Sequence, residues 1–107
     1  MIPQNLSEIL TELRQLLSEI LGPRMTGMYL YGSYARGEAR PDSDIDILVV
    51  VKASFDYGEL IRLTSKVVAD ISLKYDVVIS RTFLSENDFE KSQGLFVRNI
   101  RREIVSL

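Results

Sequence analysis

Apolar residues recur at three- and four-residue spacing at Leu6, Ile9, Leu10, Leu13, Leu16, Leu17, Ile20 and Leu21. That is the stripe one face of an amphipathic helix leaves in a sequence. Asn5, with Glu8 three residues on, gives the segment a capping-box start, and Gly22-Pro23 stops it. The stripe would also serve as a coiled-coil seam, but it lasts only about two heptads, so a helix packed on a sheet is expected. Met28 to Tyr31 then reads as a short strand ending at Gly32, Tyr34 to Ala39 as one or two helical turns, and Arg40 to Ser43 as a loop. Ile45 to Val51 is apolar on both parities, the pattern of a central strand covered on both faces.

Helical spacing returns over Tyr57 to Tyr75, with Leu60, Ile61, Leu63, Val67, Val68 and Ile71 on one face and Asp56 as N-cap. Asp76 begins a third predicted strand, Val77 to Ser80. Ser85, followed by Asp88, caps a helix through about Gln93; Gly94 interrupts it, Leu95 to Arg102 resumes, and Ile104 to Leu107 is a short apolar tail. The order α-β-α-β-α-β-α predicts an α/β fold: a small mixed sheet of three or more strands packed with helices. At 107 residues the chain is one domain, residues 1–107, with no linker, repeat or low-complexity segment.

Composition narrows the chemistry more than the fold. With 46% hydrophobic and 26% charged residues the chain has the make-up of a globular protein, and a net charge of −2 with a pI of about 5.1 gives no reason to expect direct nucleic-acid binding. No basic segment followed by an apolar one opens the chain at Met1 to Glu8, and no apolar run approaches the ~20 residues that span a bilayer, so a cytoplasmic protein is expected. There is no cysteine and no histidine, which removes disulfides, thiolate zinc sites and every Ser-His arrangement. Chemistry here has to run on carboxylates, hydroxyls, Lys, Arg and oxygen-preferring ions.

Those groups gather in one stretch. Asp44 and Asp46 lie one residue apart at the mouth of the apolar strand, so both side chains point the same way with Cα atoms roughly 7 Å apart. Drawn to about 4 Å, two such carboxylates would repel by about 4 kcal/mol at an effective dielectric of ~20, and a divalent cation is the natural offset. Asp42, Asp44 and Asp46 superficially open a calcium loop, but its sixth and twelfth positions, where Gly and Glu belong, hold Ile47 and Ala53. Mg²⁺ shared with phosphates remains, since that ion takes one or two carboxylates and keeps its waters. Gly32-Ser33, just ahead, lets backbone approach a ligand and offers a hydroxyl and an N–H, as a phosphate cradle needs, although Gly-Ser is also a common turn. If the strand after Asp76 lies beside that of Asp44 and Asp46, three carboxylates converge at one sheet end, the arrangement of a two-metal site. The alternative is that Asp76 is a solvated junction residue.

Taken together, Gly32-Ser33, Ala35-Arg36-Gly37, Arg40 and Ser43-Asp44-Ile45-Asp46-Ile47-Leu48-Val49, with the later strand Asp and the Phe96-Val97-Arg98-Asn99-Ile100 tail, resemble the minimal nucleotidyltransferases (MNT domains) of the DNA polymerase beta superfamily. The resemblance implies that fold over almost the whole chain. It implies that Gly32 and Ser33 hold a nucleoside triphosphate, that Asp44 and Asp46 bind metal ions, two Mg²⁺ in all, and that Asp76 is the third carboxylate, ligating the catalytic metal and taking the acceptor's proton. Arg36 and Arg40 follow the cradle and are candidates to steady phosphates, or else solvated charges. Tyr29, Tyr31 and Tyr34 invite base stacking, but the alternating pair Tyr29 and Tyr31 suits packing better. Arg98, Arg101 and Arg102 make a basic patch, read either as a solvated face or as a partner contact.

Minimal members of that superfamily resemble antitoxins that transfer AMP from ATP to a tyrosine of a HEPN-domain ribonuclease toxin, and this is the leading expectation. The alternatives are nucleotidyl transfer to a small molecule or RNA end, with a homo-oligomer sharing the site, and a non-catalytic antitoxin acting by occlusion. Occlusion would be favoured by outward apolar residues on the first helix, with Leu6 and Leu16 as candidates.

Overall fold

The computed structural model describes residues 5–40 and 42–107. Met1 to Gln4, part of the segment read for a targeting signal, and Pro41, in the expected loop, lie outside them. Helix α1 spans Leu6–Leu21 and buries Ile9, Leu10, Leu13, Leu17 and Leu21 of the predicted stripe, with Leu6 and Leu16 partly buried and Ile20 exposed. Its start differs from the expected capping box: Asn5 makes no side-chain cap, and its carbonyl takes the Ile9 N–H instead. Leu6 and Leu16, the two candidates for occlusion by this helix, pack against the core rather than facing outward, and the exposed apolar residue of the helix is Ile20. After a single 3₁₀ turn at Gly22–Arg24, strand β1 runs Met25–Tyr31, helix α2 Gly32–Arg36 and strand β2 Ile45–Val51.

Helix α3, Tyr57–Tyr75, starts where Asp56 accepts the Glu59 N–H. It carries the chain over the sheet so that strand β3, Ile79–Ser85, lies parallel to β2, as a β-α-β crossover requires. Ser85 then caps helix α4, Glu86–Lys91, through the Asp88 N–H at 3.1 Å. Helix α5, Leu95–Glu103, leads into strand β4, Val105–Ser106, where only an apolar tail was expected. The sheet order is β3-β2-β1-β4, with β1 antiparallel to both β2 and β4.

Both faces of this sheet are covered. Ile45, Ile47, Val49 and Val51 of β2, with Met28, Leu30, Ile79 and Phe83 beside them, pack under α1 and α3. The opposite parity, Leu48 and Val50 with Tyr29, Tyr31 and Leu84, meets Ile100, Ile104 and Phe89. That explains why β2 is apolar at every position but one. The exception is Asp46.

Among the described residues no helix is long and apolar enough to cross a membrane.

Candidate functional site

The sheet topology brings four chain segments to one end. Strand β1 ends there at Tyr31, which pairs with Asp46 near the start of β2. Because β3 runs parallel to β2, it also begins there, with Ser80 opposite Asp46 and the Ile45 N–H bound to the Val78 carbonyl at 2.8 Å. Antiparallel β4 starts at the same end, following α5, and continuing its register from Leu30↔Val105 puts Glu103 beside Gly32.

Gly32 turns the chain from β1 into α2 with φ +76°, a conformation that disfavours any residue with a Cβ. Space demands glycine as well. A Cβ there would collide with Asp46 Oδ2 and come within 3.0 Å of Asp46 Cγ. The turn is therefore packed directly onto the carboxylate it was predicted to accompany. Ser33, partly buried, follows in α2, and its carbonyl accepts the Glu38 N–H at 2.9 Å.

Asp44 is exposed just ahead of β2, and Asp46 is half-buried within it. Burial pushes the Asp46 carboxyl above the usual carboxylate range; the Asp44 and Glu103 charges push the same way, and Arg36 opposes them. The site thus holds more negative charge than its own cation offsets. Two carboxylates short of compensation, in a site with oxygen donors only, fit a hard divalent ion such as Mg²⁺.

Asp76 departs from expectation. Helix α3 continues through Tyr75, and Asp76 closes it as C-cap in the left-handed conformation, φ 54°, its N–H bound to the Ser72 carbonyl. Asp is among the few side chains that tolerate this geometry. Strand β3 consequently begins at Ile79 rather than Val77, and the residue facing Asp46 across the strands is Ser80. Asp76 is exposed at the same sheet end, and among the described residues no three acidic side chains are grouped to hold an ion. The expected convergence of Asp44, Asp46 and Asp76 is not formed.

Arg36 stands at the cradle, held by Glu38 at 2.8 Å and Glu103 at 2.9 Å. Arg40 is exposed, and its backbone N–H donates to Ser43 Oγ at 2.8 Å, shaping the approach to Asp44. The tyrosines pack: Tyr29 stacks on Phe89 at 5.0 Å, while Tyr31 meets Phe96 edge-on and shares a hydrogen bond with Thr82. Arg101 donates to the Phe89 and Ser92 carbonyls, tying α4 to α5, whereas Arg98 and Arg102 are exposed.

Glu103 is the residue that sequence reasoning missed. Its Oε1 accepts the Gly32 N–H at 3.1 Å and its Oε2 the Arg36 Nη1–H. A signal for it existed: an acid at the C-terminal end of a helix opposes the helix dipole and so calls for donors from elsewhere.

The model of the nucleotidyltransferase domain matches residues 6–105. A protein of Methanocaldococcus jannaschii, provisionally named a protein adenylyltransferase, is 43% identical over 81 residues, 75% of each chain. The protein adenylyltransferase MntA of Thermococcus cleftensis is 35% identical over 82 residues, 77% of this chain and 81% of MntA. The solved structure of a tri-AMPylated Shewanella oneidensis HEPN toxin in complex with an MNT antitoxin aligns with a TM-score of 0.54 at 15% identity, over 92% of this chain and 70% of the matched one. At that identity the likeness speaks for the fold. The sequence relatives carry the rest: with the domain model matched almost end to end, and the Gly-Ser turn and paired aspartates at one sheet end, the chain belongs to the nucleotidyltransferase domain family.

Proposed function

We propose that the chain is a Mg²⁺-dependent protein adenylyltransferase that moves AMP from ATP onto a tyrosine of a HEPN-domain toxin. One observation carries this most directly: Gly32 of the Gly-Ser turn is packed against Asp46. A triphosphate lying on the turn is then next to the carboxylates that would share its cation. The names and complexes of the relatives support the acceptor, since MntA is a protein adenylyltransferase and the aligned antitoxin is bound to a HEPN toxin bearing AMP.

In this reading Gly32, Ser33 and Arg36 orient the phosphates, with Arg40 at the approach, and Asp44 and Asp46 hold Mg²⁺, which when bound supplies charge stabilisation at the α-phosphate and the departing pyrophosphate. The acceptor hydroxyl forms the new O–P bond as the bond to pyrophosphate breaks, and its proton passes to a carboxylate of the site or to water. Asp76 has only its place at the same sheet end in support of that last role. No histidine is required.

The test is direct. Purified protein, Mg²⁺-ATP and the HEPN protein encoded or co-purified with it should give a partner heavier by AMP. The Asp44→Ala/Asp46→Ala variant should give none. Equal labelling by that variant, or no labelling by the parent, removes the proposal.

A further inference from the structure

Glu103 is fixed by the fold on both sides. On one side α5 is anchored by Val97 and Ile100, both buried, with Ile100 against Leu48 and Val50 of β2. On the other, β4 pairs with Tyr29 and Leu30 of β1. Beyond it, the Leu107 N–H binds the Met28 carbonyl at 2.9 Å, and Arg14 Nε donates to the Leu107 carbonyl at 3.0 Å. The carboxylate therefore stands on a rigid post, with its side chain 22% exposed. A swinging latch would need a hinge, and none lies between these two anchors.

What the post holds is specific. One oxygen takes the N–H of Gly32, whose left-handed turn touches Asp46; the other takes Arg36 Nη1. Glu38 takes Arg36 Nε. A guanidinium has five N–H donors in a fixed plane. Two are committed to carboxylates, so the Nη2 edge and the second Nη1 hydrogen keep one direction. Placing Glu103 here is otherwise unfavourable, at a helix C-terminus and at the sheet end that already carries Asp44 and Asp46. A residue that burdens its surroundings in two ways and satisfies two elements of the cradle is placed for the cradle.

We propose that Glu103 is a positioning residue for the nucleotide: it sets the Gly32 turn against Asp46 and aims Arg36 at the phosphates, without touching the reacting atoms. The proposal rests on the reading of Gly32, Ser33 and Arg36 as the triphosphate cradle.

Titration calorimetry with Mg²⁺ and the ATP analogue AMP-PNP tests it with no acceptor present, so that no transfer takes place. Glu103→Ala loses both charge-assisted hydrogen bonds, to Gly32 N–H and to Arg36, and is expected to weaken Kd about tenfold or more. Glu103→Gln keeps an oxygen for the Gly32 N–H and is expected to recover most of that loss, to within about threefold of the parent. Should Glu103→Ala not fold, Glu103→Asp carries the test: its shorter side chain cannot span the Gly32 N–H and Arg36 Nη1 together, and it is expected to weaken Kd as Glu103→Ala does. The control is Glu12→Ala, which removes a comparable ion pair with Lys74 at the α1–α3 contact, 2.9 Å in the parent, and should leave Kd at the parental value. Unchanged or tighter binding by Glu103→Ala, or by Glu103→Asp in its place, no recovery by Glu103→Gln, or equal weakening by Glu12→Ala overturns the positioning role. A parent that binds the analogue while those results hold keeps the cradle and loses only Glu103's part. A parent that binds nothing overturns both.

Discussion

Replacing Asp46 with Asn should stabilise the empty protein and destabilise it relative to the parent once nucleotide and metal are present. Asp46 is half-buried, with the charges of Asp44, two residues before it, and of Glu103 both acting on it. Charges ~7 Å apart repel by about 0.6 kcal/mol at a dielectric of 80 and about 2.4 kcal/mol at ~20. With Arg36 opposing, a net penalty of about 1 kcal/mol is reasonable, and removing it should raise Tm by about 4 °C in a domain of this size. The pH dependence has a definite sign. The folded-state pKa of Asp46 is raised above its ordinary value of 3.8, so the folded state binds this proton more tightly than the unfolded chain does. The associated stability is fully present below about 3.8 and is lost as pH rises through the raised value. The Asp46→Asn advantage is therefore full at neutral pH and closes as pH falls towards 4. With Mg²⁺-AMP-PNP at about a hundred times Kd, the parent gains about 2.7 kcal/mol and the variant little, so their order inverts. Thermal unfolding in four conditions, pH 7 and pH 4 with and without Mg²⁺-AMP-PNP, measures all of this. An empty Asp46→Asn protein that melts below the parent at pH 7 would mean the carboxylate serves the fold, and the reasoning would fail.

Two further substitutions probe the same sheet end. Gly32→Ala puts a Cβ into Asp46 at a positive φ, so it should cost about 1–2 kcal/mol in stability from the backbone alone and abolish Mg²⁺-AMP-PNP binding in the folded fraction; retained binding would separate the turn from the nucleotide. Asp76→Asn keeps a side chain that tolerates the left-handed cap and deletes the charge. As a cap residue it should keep AMP transfer to the partner within about threefold, whereas a loss of about a hundredfold or more would mark a general base, a result read from the initial rate of partner labelling.

Much of the fold was legible because α1, β2 and α3 are long and strongly periodic, and their bounds follow the pattern. Strand β3 was placed too early because its apolar start, Val77-Val78, lies ahead of it, with Val78 60% exposed. Its polar residues also hide it. Arg81 sits on the α3-covered face with the Ile61 carbonyl, Thr64 Oγ1 and Ser65 Oγ as partners, so tertiary contacts override a residue that sequence reasoning reads as exposed. Strand β4 is only two residues long and takes its meaning from β1. The Asp pair and Gly-Ser turn were legible because neighbours in sequence supply them. Glu103 was not, because its partner Gly32 is 71 residues away.

The places where local rules are broken divide into two kinds, and the division ranks the candidate residues. Asp76 in the left-handed region is answered on the spot by its capping bond to Ser72, and Arg81 by three acceptors on α3; each repays its own cost within the fold. At the Gly32 turn the groups answer one another instead: a positive φ that only glycine meets without cost or a clash with Asp46, a carboxyl pushed up by burial and like charge, and an acid at a helix C-terminus whose donors belong to the cradle itself. Among the described residues, this cluster included, no buried side-chain nitrogen or oxygen lacks a partner. A cluster that crowds like charges around a half-buried carboxylate is under a constraint other than stability. By that argument Gly32, Asp46 and Glu103 rank ahead of Asp76 as candidates for the proposed nucleotide site.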